Sequence, residues 1–340
     1  MTRVDDLQRK YTTIPREIII KMEALTHGVR DSEGLDKASF WSRAGEIGTY
    51  QSYDRHADYA EVVAKRQKDT KPGFVKRLGS FYLKNGAGAR MERDHTSPYE
   101  IRELGPGQFA LFEGEEKVEN IYFPELPFPY QKGQEPLTSR GNPVTTVINM
   151  RSPYCHVIAP VRHCEYFNTG EQCKYCNFNH TQEQARSVGA NRTATVNLDE
   201  TAEAYKIVSS DVKFLEGAFL MGSFKDPDQT AKVQLDFIEK IGRSASYKVD
   251  IGAVIQPMTL KNMQRMKDCG VDRIYYSMEV WDRDLFGEVC PGKNKHTGYD
   301  RYLEAQLEAV DVFGAGRVTT AFVGGVTLMP PNGHKTWQEA

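Results

Sequence analysis

The chain has 340 residues, 39% of them hydrophobic, enough apolar material for one large domain or for a barrel-sized domain with a smaller companion. Lys and Arg number 44 against 46 Asp and Glu, a formal charge of -2, so no overall field draws the chain to nucleic acid, a membrane or a strongly acidic substrate, while a local basic groove stays open. The amino-terminal MTRVDDLQRK has no signal-peptide apolar core, and no stretch approaches the roughly 20 apolar residues that span a bilayer, so a cytoplasmic location is expected. Six cysteines, three of them clustered, fit thiols kept reduced as ligands better than a secreted disulfide framework.

Residues 1–140 read as an accessory region. Its first 95 residues are polar with mixed charge; helices are expected over 15–25 and 53–67, followed by a break at Gly86-Ala87-Gly88. Residues 98–136 carry short apolar runs, Gly105-Pro106-Gly107 and further prolines, which predict strands and turns in a small subdomain.

Over residues 141–340 the texture becomes a βα alternation. Strands are expected over 154–161, 214–222, 247–255, 271–281 and 317–326. The helices between them start at Asn197 or Asp199 with Tyr205 and Val208 inward, after Asp226-Pro227-Asp228 with Ala231, Leu235 and Ile238 inward, and at Thr259 with Leu260, Met263 and Met266 inward. A last helix should bury Leu303, Leu307 and Val310. Five such steps predict an α/β fold, a partial TIM-like (βα) barrel, with a doubly wound sheet as the alternative. Both place ligands at the carboxyl ends of the strands.

The loop after the first strand, HCEYFNTGEQCKYCNFNH, holds Cys164, then eight residues, Cys173, two residues and Cys176. Cys-x2-Cys lets two thiolates converge, and the Thr169-Gly170 turn can return Cys164 toward them. Cys173, Cys176, His180 and Cys164 also make a plausible Cys3His zinc set, the alternative for a non-catalytic interaction module.

The three cysteines, with the aromatic Tyr175 before the last, resemble the radical-SAM superfamily in a longer-gap form similar to Elongator-type members. The resemblance implies a [4Fe–4S] cluster on Cys164, Cys173 and Cys176, with S-adenosylmethionine on the fourth iron and reductive cleavage to start radical chemistry on an unidentified substrate. It also implies an electron donor such as flavodoxin or ferredoxin. Cofactor contacts carried over are Tyr175, then Gly222 and Ser223 where relatives have Gly-Gly-Glu, Glu279 in SMEVW as in biotin-synthase-like and hydrogenase-maturation-like members, and Gly324 in AFVGGVT. The long cysteine gap further suggests a tRNA-directed protein as an alternative.

Cys155 and Cys269 read as packing residues and Cys290 as an ordinary loop cysteine in a polar insertion. His156, Arg162 and His163 flank the cluster loop without a spacing that selects a role. Thr336 to Glu339 resembles a helix start, from which a carboxyl-terminally incomplete barrel is expected.

Overall fold

A computed structural model describes residues 1–31, 80–123, 129, 135–152, 155–187, 194–242, 248–328, 333–336 and 338–339. The helix expected over 53–67 lies outside these residues, as does Trp337 of the expected final helix. The chain divides into two compact units, 1–135 with 150–153, and 136–149 with 154–340.

In the first unit α1 (Arg3–Lys10) starts at Thr2, whose hydroxyl accepts from the Asp5 N–H while the Asp5 carboxylate accepts from the Thr2 N–H. Helix α2 (Arg16–His27) occupies the expected position and buries Ile19, Ile20 and Ala24. A six-stranded sheet joins β1 (Arg30–Asp31), β2 (Ser80–Leu83), β3 (Gly88–Arg90), β4 (Tyr99–Gly105), β5 (Gln108–Glu113) and β6 (Glu116–Tyr122) in the order β1-β4-β5-β6-β2-β3. Only the β1–β4 pair among these is parallel. The glycine-containing break at 86–88 is the turn of the β2–β3 hairpin, closed where the Leu83 N–H donates to Ala87 O at 2.9 Å. Helix and sheet bury Ile20, Phe81, Leu83, Tyr99, Ile101 and Leu111 together, each full burial contributing about 1.5–3 kcal/mol.

After a short strand β7 (Ile148–Ser152), the second unit runs β8 (Cys155–Ile158), β9 (Glu216–Leu220), β10 (Asp250–Val254), β11 (Arg273–Tyr275) and β12 (Val318–Thr319). These five strands are parallel, and each pairs with the next in chain order. A doubly wound sheet reverses order at a switch point; this unbroken succession is the barrel-type order. Past their regular ends β11 and β12 stay paired, since the Tyr276 N–H donates to Thr319 O at 3.0 Å and the Glu279 N–H to Ala321 O at 2.7 Å.

Helices α3 (Phe178–Ser187), α4 (Leu198–Asp211), α5 (Pro227–Gly242) and α6 (Leu260–Asp268) intervene. Asn197 caps α4, accepting from the Glu200 N–H, and Thr259 caps α6. Ala231, Leu235, Ile238, Met263 and Met266 are all fully buried as the periodicity predicts, whereas Leu260, in the first turn, is 55% exposed.

The last long helix corrects the sequence reading. Following α7 (Arg283–Val289) and α8 (Pro291–His296), α9 (Tyr299–Phe313) buries Tyr302, Ala305, Ala309 and Phe313 and leaves Leu307 72% exposed. The helix carries two apolar stripes, and the one containing alanines lets its backbone approach β11, β12 and α6 closely. Among the described residues no helix is long and apolar enough to cross a membrane.

Candidate metal and cofactor site

The cysteine loop follows β8 and is fixed mainly through backbone. Cys164 opens a 3-10 turn, Glu165–Thr169, and the Cys176 N–H donates to Cys173 O at 2.9 Å, which folds the second and third cysteines back on one another. Asn179, in the first turn of α3, holds the first: its Oδ1 accepts from the Cys164 N–H at 2.8 Å, and its Nδ2 donates to Cys164 O and pairs with His163 Nδ1. From the end of β9, the Gly222 N–H donates to Val161 O at 3.0 Å and Ser223 O accepts from the Glu165 N–H at 2.9 Å. A Cβ on Gly222 would stand 2.0 Å from His163 O, so only glycine permits this approach.

The thiols form one electrostatic group. Burial pushes Cys164 and Cys176 above the ordinary thiol range, and each feels the charge of Cys173. Cys173 is lowered to about 7, first by a hydrogen bond with the Cys290 thiol, with burial opposing and the Lys293 charge and Tyr175 hydroxyl assisting. Such a donor set fits a polynuclear centre, where each thiolate takes a different iron and the sulfurs need not converge on one point. It fits a single ion less well: among the described residues no three His, Cys, Asp or Glu groups gather closely enough for one. His180, fourth in the zinc alternative, has a 73% exposed side chain with Nδ1 3.3 Å from Glu183 and its ring edge against Phe167.

Behind the cysteines stands a wall built by α7 and α8. The Lys174 N–H donates to Val289 O and the Gly292 N–H to Glu171 O, both at 2.9 Å. A Cβ on Gly292 would lie 2.6 Å from both Glu171 O and the Tyr166 ring. Cys290, expected as an ordinary loop cysteine in a polar insertion, is instead fully buried where the two helices meet.

Lys293 completes the wall, donating to Ser277 O at 2.7 Å and Glu279 Oε1 at 2.8 Å, with side chains only 13% and 15% exposed across the ion pair. Burial opposes its charge, yet Tyr302, Glu279, Cys173 and Cys290 outweigh that and hold its pKa above the ordinary value. Glu279 itself sits at φ +72, an uncommon conformation for a non-glycine residue, and its carbonyl accepts from the Val323 N–H at 2.9 Å. Burial, then the charges of Cys173 and Glu279, raise the Tyr175 hydroxyl, although the residue is 38% exposed overall.

Glu171 anchors the far side of the loop. Hydrogen bonds from Lys295, His296 and Thr169 hold its carboxyl at about 2. The His296 ring stacks on Tyr166 at 5.6 Å, and the Tyr166 hydroxyl donates to Gln256 Oε1 at 2.9 Å, tying the loop to the end of β10.

Of the residues singled out from the sequence, Cys164, Cys173, Cys176, Tyr175 and Glu279 come together, with Gly222 and Ser223 against the loop backbone. Gly324 follows the Val323–Glu279 bond and is exposed, with nothing within 4 Å of its Cβ position. His156 packs against Tyr205 and Phe214 at ring distances of 5.0 and 4.9 Å, and burial lowers it to about 3. Arg162 donates to Thr146 O, and Cys269 Sγ to Glu239 Oε1 at 3.2 Å. The sequence reading passes over Asn179, Lys293 and the burial of Cys290. For Cys290 and Lys293 the one signal in the sequence is the Cys290-Pro291-Gly292-Lys293 run, where a helix start and a glycine bring a thiol and an ammonium into one turn.

No family model matches the chain. Over 199 residues it is 28% identical to bacteriochlorophyllide c C-7(1)-hydroxylase of Chlorobaculum limnaeum, covering 54% of this chain and 49% of the hydroxylase. The chain thus spans about half the length of that curated relative. Similar solved structures include the FeFe-hydrogenase maturase HydG from Carboxydothermus hydrogenoformans (TM-score 0.38, 18% identity, 50% of this chain and 36% of that one). Methylornithine synthase PylB superposes with TM-score 0.38 at 17% identity over 50% of this chain and 44% of its own. A radical SAM methyltransferase from Sphaerobacter thermophilus gives 0.37 at 9% identity over 97% and 78%. The chain is thus similar in sequence, over about half its length, to the curated hydroxylase, and it carries a three-cysteine loop directly after the first of five parallel strands.

Proposed function

We propose that Cys164, Cys173 and Cys176 ligate a [4Fe–4S] cluster and that the chain cleaves S-adenosylmethionine reductively to begin radical chemistry on a substrate. The observation that carries this reading is the gathering of three thiols into one electrostatic group beside a buried ammonium at the carboxyl ends of parallel strands. The cluster, when bound, supplies the electron that breaks a sulfonium C–S bond and yields a carbon radical. The chain's residues do the holding. Asn179 fixes the backbone of Cys164, Gly222 and Ser223 brace the loop and offer backbone to the cofactor, and Glu279 presents its carboxylate from a strand end. Tyr175 and Gly324 complete the proposed cofactor contacts, and a flavodoxin or ferredoxin serves as reductant.

The outward-facing His180 weighs against the zinc alternative. The likeness to the hydroxylase makes hydroxylation the first substrate reaction to test, with bacteriochlorophyllide c as the probe. The deciding experiment is anaerobic reconstitution with iron and sulfide, followed by iron analysis and a 5′-deoxyadenosine assay. About four irons per chain are expected, lost on Cys164→Ala, Cys173→Ala or Cys176→Ala and kept in Cys269→Ala. A colourless protein with one tightly held zinc would overturn the proposal.

A further inference from the structure

Helix α8 (Pro291–His296) is tied on two sides. It is locked to the cysteine loop, since the Gly292 N–H donates to Glu171 O at 2.9 Å, Gly292 has no room for a Cβ against Tyr166, and His296 Nε2 lies 2.9 Å from Glu171 Oε2. Just before the helix, Val289 O accepts at 2.9 Å from the N–H of Lys174, the residue after Cys173. By one side chain α8 is also locked to the end of β11: the Lys293 ammonium donates to Ser277 O at 2.7 Å and to Glu279 Oε1 at 2.8 Å, and it lies over the buried Tyr302 ring at 5.5 Å. Lys293 is therefore the link that sets where the Glu279 carboxylate stands relative to the loop.

The backbone under Glu279 is held in an unfavourable form. The Val280 N–H donates to Met278 O at 2.9 Å, closing a three-residue turn with φ +72 at its centre, the rare and strained hand of that turn for a residue with a side chain. The neighbouring strand pins it: Glu279 gives its N–H to Ala321 O at 2.7 Å and takes the Val323 N–H on its carbonyl at 2.9 Å, while the Met278 N–H donates to Thr320 Oγ1 at 3.1 Å. Met278 and Val280 are buried on either side, and the carboxylate between them is 15% exposed with the ammonium as its charge partner. Backbone strain and the burial of two charges each cost stability, and what both achieve is a fixed orientation for this one carboxylate.

We propose that Lys293 is a positioning residue that holds the Glu279 carboxylate at a set place beside the cysteine loop, so that S-adenosylmethionine meets an acceptor already oriented; this rests on the reading of Glu279 as a cofactor contact. The test is a double-mutant cycle. Wild type, Lys293→Met, Glu279→Ala and the double variant are reconstituted with iron and sulfide, their iron is counted, and their affinity for S-adenosylmethionine is measured by equilibrium dialysis. Lys293→Met should weaken binding about 10-fold or more where Glu279 is present and by less than about twofold where it is already alanine, since a residue that acts through another has no effect once the other is gone. Equal losses in both backgrounds, or unchanged affinity in Lys293→Met, would overturn the inference while leaving Glu279 its role. A second measurement needs neither the cluster nor the lysine variant. In the metal-free chain Glu279→Gly should have a urea midpoint about 0.5–1.5 M above that of Glu279→Ala, because glycine releases the turn and alanine keeps its strain. Equal midpoints would overturn the inference whether or not Lys293→Met folds. If wild type binds no S-adenosylmethionine, or Glu279→Ala binds it as tightly as wild type, the proposed cofactor contact itself fails and this inference with it.

Discussion

Adding one methyl group at Gly222 measures how tightly the end of β9 holds the cysteine loop. The new Cβ would lie 2.0 Å from His163 O, 2.3 Å from His163 C and 2.7 Å from Cys164 N, where ordinary contacts begin at 3.4 Å. All three obstacles are backbone, so no side chain can swing aside and the loop must retreat by about an ångström or more. That retreat strains the two bonds bracketing the contact, Gly222 to Val161 and Glu165 to Ser223. Overpacking costs about 1–3 kcal/mol and each lost bond about 0.5–1.5 kcal/mol, so Gly222→Ala should destabilise the second unit by about 2–6 kcal/mol. With a urea slope of about 2 kcal/mol per molar, the midpoint of that unit should fall by about 1–3 M in the metal-free protein. Iron uptake should fall with it, because the displaced atoms include the Cys164 backbone. A variant with the wild-type urea midpoint and full iron content would refute the reasoning, since the loop would then be free to move without consequence.

The buried His156 should make stability fall with acid: the ordinary histidine value is 6.5 and burial lowers it here to about 3, so below pH 6.5 the unfolded chain takes up a proton that the native ring refuses until about pH 3. At pH 5 the loss is about 2 kcal/mol relative to pH 8, and His156→Leu should flatten that part of the denaturation profile; the same slope in both proteins would sink the assignment. Glu279→Ala should weaken S-adenosylmethionine binding about 10- to 100-fold in equilibrium dialysis, the worth of one charged hydrogen bond, while iron content stays at wild type; unchanged affinity would return Glu279 to a structural ion pair. On α9, Leu307→Gln should alter stability by no more than about 0.5 kcal/mol, and Ala309→Leu should cost about 1–3 kcal/mol, with the reverse ranking in thermal melts restoring the stripe expected from periodicity.

Strands and helices were legible wherever a single pattern stood alone. Ala231, Leu235 and Ile238 recur on one helical face with no rival stripe, and Asn197 and Thr259 each precede an apolar periodic run, so burial and caps followed from local chemistry. On α9 two stripes compete. Periodicity weights Leu307 and Val310 as heavily as Tyr302 and Phe313, and only the close approach allowed by Ala305 and Ala309 decides between them. The candidate site divides in the same way. Three cysteines and their spacing are a local signal, while Lys293 reads as one more charge in a polar insertion. Its burial depends on Ser277 and Glu279 from another strand end and on Gly292 meeting Tyr166, contacts between segments more than ten residues apart.

The costs in this unit are concentrated where the proposed chemistry lies. A buried Lys–Glu pair is weak grounds for stability, because removing two charges from water offsets most of their attraction and a well-packed apolar pair of the same volume would serve as well. A glutamate at φ +72 adds backbone strain that a glycine would avoid. Both costs fall on Glu279, at the strand end facing the thiols, and the pair's other member shares a helix junction with a fully buried thiol. Elsewhere the same unit uses ordinary apolar packing, as on α5 and α6, or exposed ion pairs such as Arg283 with Asp300. A chain built only for stability would place methionine or leucine at 279 and 293. Glutamate and lysine there fit the proposed reading, in which a carboxylate and an ammonium are held at fixed positions beside a centre whose charge changes by one electron.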